Sequence, residues 1–211
     1  MHPQWLLSEL EDPFQMFPIE AVARTLAESI SDTEAELTQS GGWDVSPKYR
    51  SVADEHNIEV IALLIGAVFV LGQAALTQSV AIVRKMRNLV AKPSRIPKSK
   101  ADILAVEATI HPETGLSEMV LVDAVANYFK HYREWPEDWN SPQISGPQQQ
   151  TIELVRRLGL SPGDLHDNLF TAVQRLGLRP AGVDSLAARI QAWRERLAES
   201  LRRTLQVADR T

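Results

Sequence analysis

The chain has 211 residues, 44% of them hydrophobic, and a net charge of −5. That composition supports one good core plus a small appendage and is too apolar for a disordered chain. There is no cysteine, which excludes a disulfide framework, a thiolate zinc site and a thiol nucleophile.

The charge is uneven. Residues 1–60 hold twelve acids against Arg24, Lys48 and Arg50, so the remainder is net basic. Residues 1–10 lack a basic segment followed by an apolar run, so no leader is expected and a cytoplasmic location is. Pro18 opens the first expected helix, with Ile19, Val22, Ala23, Leu26, Ala27 and Ile30 at helical spacing. It runs to about Gln39, where Gly41-Gly42 stops it.

The second expected helix covers 52–91. Its middle, "VIALLIGAVFVLGQAAL", has seventeen residues without a charge. Two readings stay open. It is the central helix of a bundle, apolar on all sides, or a single membrane span over about 58–83 with acids before it and bases after. Gln73, Thr77, Gln78 and Ser79 favour the bundle.

Pro93 and Pro97 then break the helix in a basic linker. Arg84, Lys85, Arg87, Lys92, Arg95, Lys98 and Lys100 follow one another without an acid. Such a run attracts a polyanion or simply solvates a helix end. Shorter helices are expected at 100–109 and 116–132, the second ended by Trp135-Pro136. "NSPQISGPQQQ" reads as a connector. In the last third "RLGLSP" at 157–162 returns as "RLGLRP" at 175–180, each a helix end with a glycine cap. A final amphipathic helix is expected over 185–207. The fold class is therefore all-α: a bundle over 1–140 around a long apolar helix, a connector at 141–150, and a helical C-terminal extension over 151–211.

Several chemistries lack their signature. The sequence has no Walker loop, no GxGxxG after a strand, no GxSxG and no HExxH. No metal site and no cofactor are expected. The segment "NYFKHYREWPEDW" at 127–139 is the densest in chemistry. On a helix, Asp123, Asn127 and His131 stand four residues apart in one polar stripe, and Lys130 joins it. An imidazole can serve as general base or acid near neutral pH. Lys130 and Arg133 can hold a phosphate. A solvated helix face, with its cations opposing the helix dipole, is the plainer reading.

This arrangement resembles the HEPN superfamily, all-helical proteins that include many small RNases of toxin–antitoxin, CRISPR and phage-defence systems. The family motif is an arginine, a polar residue, a few further residues and a histidine. With His131 on the motif histidine, Asn127 takes the polar position and Ala126 the arginine's. That departure puts cleavage in doubt. "NYFKHYREW", with "FVLGQAALTQSV" upstream, is also similar to bacterial proteins carrying N-Y-x-K-H-x-x-E-W, to which no activity is attached.

The resemblance implies an RNA-related protein, with metal-independent endoribonuclease activity left open. His131 would be the acid or base and Asn127 its orienting partner. Lys130, Arg133 and Asp123 would contact substrate, and Arg84, Lys85, Arg87, Lys92 and Arg95 would hold the nucleic acid. Arg50 or Arg87 could stand in for the missing arginine, and such sites are commonly built across a homodimer. The alternative is a non-catalytic binding or scaffold module, taking a nucleic acid or a basic protein partner at the acidic first third.

Overall fold

The computed structural model describes residues 3–90 and 93–209, so Lys92 lies outside the described residues. Eight α-helices and no strands are present among them: α1 (Pro3–Glu11), α2 (Phe17–Ser40), α3 (Val52–Arg87), α4 (Lys100–Ala105), α5 (Glu118–His131), α6 (Gly146–Arg157), α7 (Leu165–Arg175) and α8 (Ser185–Asp209). The all-α class and the long apolar helix are as the sequence indicates.

α3 is the axis. It packs against α2 and α5 most extensively, and also against α1, α4, α7 and α8. Ile61, Ile65, Phe69, Leu76, Val83 and Met86 are wholly enclosed. The helix is long and apolar enough to cross a bilayer, but here other helices cover most of that surface. Two glycines let neighbours close in. A Cβ on Gly66 would lie 2.2 Å from the Phe129 ring of α5, and one on Gly72 would lie 3.0 Å from Ile190 of α8. α5 runs antiparallel to α3, since Gly66 meets Phe129 while Gly72 lies against Val122.

The α2–α3 hairpin is tied at Asp54. Ser51 caps α3, its hydroxyl accepting from the Asp54 amide and donating to Asp54 Oδ2 at 2.7 Å. Ser40, at the end of α2, donates to Asp54 Oδ1 at 2.6 Å. The Ser40 hydroxyl, then that of Ser51, holds the Asp54 carboxyl below its ordinary pKa.

The C-terminal helices share the core rather than standing beside it. Trp193 of α8 is enclosed and its indole donates to Val106 O at 2.9 Å. Arg194, also enclosed, donates to the Leu10 and Glu9 carbonyls at the end of α1. A cation there satisfies carbonyls left open by the helix end. Asn168 of α7 donates to the Tyr128 hydroxyl of α5 at 2.8 Å. Both "RLGL" segments cap their helices with left-handed glycines: the Leu160 amide returns to Val155 O and the Leu178 amide to Val173 O.

Some boundaries differ from the sequence expectation. α3 stops at Arg87, where Asn88 caps it, not at 91. α4 ends at Ala105, and Glu107 takes a positive φ of 50°. α6 begins inside the expected connector, at Gly146. α1 was not anticipated; its signal is Leu6, Leu7 and Leu10, all buried.

Gly66→Ala forces the Phe129 ring off α3. Steric cost exceeds the helix-propensity gain, so a net loss of about 1–2 kcal/mol is expected in urea unfolding; an unchanged midpoint would contradict that close approach. Asp54 contributes stability above its unfolded pKa of about 3.9, and that contribution is lost as pH falls through its lower folded value. Wild type should therefore lose more stability than Asp54→Asn between about pH 5 and pH 2.5, and equal losses would remove Asp54 from the account.

Candidate functional site

The polar stripe of α5 divides into an inner and an outer part. Asp123 and Asn127 turn toward Gln73, the amide in the middle of the apolar run of α3. Gln73 Nε2 donates to Asp123 Oδ1 at 2.7 Å, to Asn127 Oδ1 at 2.9 Å and to Asp123 O at 3.1 Å. Lys100, at the start of α4, pairs with Asp123 Oδ1 at 2.7 Å. Asn127 Nδ2 reaches Asp123 Oδ2 at 3.5 Å. A buried amide must find partners or lose the cost of its desolvation. These groups supply them and lock α3, α4 and α5 together.

The outer part faces solvent. His131 Nδ1 lies 3.1 Å from Glu134 Oε2, with the two side chains 49% and 72% exposed. Lys130 and Arg133 are exposed, and Arg133 Nε donates to the Tyr132 hydroxyl at 2.9 Å. Ala126 is wholly buried. The position that the family motif gives to arginine therefore points into the core. Trp135 and Trp139 tuck the following loop against Tyr128, with ring centres 5.1 and 6.0 Å from it.

The basic run lies at the other end. Because α5 opposes α3, His131 sits near the start of α3 and Arg84–Arg87 at its finish, on the order of 30 Å away at 1.5 Å per residue. Arg84, Lys85 and Arg95 are exposed. Arg87 is partly engaged: its Nε donates to Pro93 O and Ile96 O, closing the linker. Within one chain Arg87 also lies far from His131. Arg50 is at the same end as Arg133, although its Nε is engaged with Gly42 O and Val45 O.

Arg50 and Arg133 line a cleft of about 680 Å³ between the start of α3, the end of α5 and the start of α7. Glu55, Glu59, Asp164 and Asp167 line it too, with His166 and Leu63. Acid outweighs base there, so a polyanion is not its natural occupant. Asp164, His166 and Asp167 bring their ligand atoms within 4.8 Å of one another. That donor set could hold a divalent cation.

Sequence reasoning missed Gln73 as a partner of the stripe and missed the cleft. Gln73 did carry a signal, as an amide inside an otherwise apolar run. The cleft carried none, because its walls come from segments far apart in sequence. No family model matches the chain, and no curated protein or solved structure matches it.

Truncation separates the two halves of the stripe. Asn127→Ala and Gln73→Leu should each cost about 1–2 kcal/mol, because the first takes an acceptor from the buried Gln73 and the second leaves the half-buried Asp123 and Asn127 facing an apolar side chain. His131→Ala should stay within about 0.5 kcal/mol. Urea unfolding of the three variants measures this, and a large loss for His131→Ala with none for Asn127→Ala would reverse the assignment.

Proposed function

We propose that the protein is a non-catalytic helical binding module whose partner is another protein chain. The observation that carries this is the division of the stripe. Asp123 and Asn127 are spent on joining α5 to α3, and the position of the motif arginine is the buried Ala126. An acid–base centre of the HEPN type would need those groups turned toward a substrate. The surface meanwhile offers apolar contact area: Phe14, Phe17, Tyr49 and Val52 are each more than half exposed. Exposed apolar groups on a chain with a well-filled core suit a protein interface.

A second reading keeps the HEPN-like resemblance: an RNA-related protein of a phage-defence or toxin–antitoxin system, working in the cytoplasm. The His131–Glu134 pair supports it. A carboxylate on Nδ1 orients an imidazole and leaves Nε2 to accept or give a proton. The exposed Arg84, Lys85 and Arg95 would then meet RNA phosphates. A membrane-spanning role for α3 has the least support, since more than half of its apolar stretch is buried against other helices.

One experiment separates the readings. Wild type and His131→Ala are incubated with labelled mixed-sequence RNA without added metal and run on denaturing and native gels. Neither is expected to cut the RNA. Cleavage by wild type that His131→Ala abolishes would overturn the non-catalytic reading and make the α5 end an RNase site.

A further inference from the structure

Among the described residues, one long face of α3 stays exposed or only partly covered. Leu63, Ala67, Val70, Ala74, Thr77 and Ala81 follow one another in alternating steps of four and three residues. That is the spacing of a helix–helix seam. Leu63 is 50% exposed, Ala74, Thr77 and Ala81 are exposed, and Ala67 and Val70 are partly so. The buried residues of α3 lie on the opposite side. Small residues in the seam allow two helix backbones to approach closely. Beside it, Gln78 donates to the Gln15 side chain at 2.8 Å. That bond brings the 3-10 turn holding Phe14, and Phe17 just after it, alongside the seam. Phe14 is 80% and Phe17 66% exposed, so the apolar footprint is wider than one helix.

The geometry points to a second copy of this chain as the occupant, its α3 packed antiparallel on this one about a two-fold axis between Val70 and Ala74. This names the partner in the binding-module reading and rests on it. Two features of the sequence choose that occupant and that direction. First, the seam is symmetric: Leu63 falls opposite Ala81 of the second copy, Ala67 opposite its Thr77, and Val70 opposite its Ala74. A two-fold interface requires such self-complementarity. Second, the charges match. α3 begins with Asp54, Glu55 and Glu59 and ends with Arg84, Lys85 and Arg87. In the same register Glu59 faces Lys85 of the second copy, twice per dimer. A parallel pair would set Glu59 against Glu59 and Lys85 against Lys85, which is repulsive. The acid-rich cleft that Glu55, Glu59 and Leu63 help to line then receives the basic end of the other α3. The assembly would thus bring together the two ends, basic run and α5 terminus, that a single chain holds apart.

The test uses the full chain without detergent, by light scattering on a sizing column and by sedimentation equilibrium. Wild type is expected at twice the 23.5 kDa chain mass at tens of micromolar. Ala74→Arg, at an exposed position, is expected to give a monomer with wild-type helix content and a cooperative thermal transition that no longer depends on protein concentration. Glu59→Lys and Lys85→Glu should each weaken the dimer by roughly tenfold, and the two together should restore it, because the swap recreates both pairs. A monomeric wild type, a dimer indifferent to Ala74→Arg, or a double variant weaker than either single one would overturn the proposal. So would a chain that binds phosphatidylcholine–phosphatidylserine vesicles through Ala74 and does not self-associate. Failure here is distinct from failure of the non-catalytic reading, which RNA cleavage alone decides.

Discussion

Everything in this fold depends on covering α3. A helix that is apolar around most of its circumference cannot stand in water, and each enclosed Ile, Leu or Phe contributes about 1.5–3 kcal/mol when removed from it. Other helices supply the cover: α2 and α5 most extensively, with α1, α4, α7 and α8 adding to it. The cover is incomplete along the Leu63–Ala81 seam, and that gap is as informative as the packing. A chain that buries one side of its longest helix so thoroughly and leaves a regular apolar seam on another has surface suited to a second helix.

The polar groups inside the bundle follow from the same constraint. Gln73 sits in the middle of α3 because α5 offers Asp123 and Asn127 there, and Lys100 balances the carboxylate. Such a network fixes the register of α5 on α3, since sliding by one turn would leave the Gln73 amide N–H groups without these acceptors. Asp54 does similar work at the α2–α3 turn, and Arg194 where α8 meets the end of α1. These are links between elements.

The fold class, the long central helix and the glycine caps of the two "RLGL" segments were legible in the sequence because they depend on local spacing and on turn chemistry. The stripe was legible only in part. Spacing shows that Asp123, Asn127 and His131 share one side of a helix; it does not show what stands opposite. Gln73, fifty residues earlier, is the group that Asp123 and Asn127 bond to across the helix pair. The basic run and the α5 end looked like parts of one site in sequence, yet antiparallel packing sends them to opposite ends of the bundle. α1 was missed because a nine-residue helix gives little periodicity to read. The cleft could not be read at all, since α3, α5 and α7 meet there only through the tertiary fold.

Amide hydrogen exchange of the full chain in detergent-free buffer tests the central claim most directly. If α3 is the buried axis of the bundle, amides from about Ile65 to Val83 should be among the slowest in the protein and exchange only with global unfolding, together with those of α5 opposite Gln73. Rapid exchange along α3 while α2 and α8 stay protected would mean that the bundle is not organised around it, and the roles assigned to Gln73, Asp123 and Asn127 would fall with it.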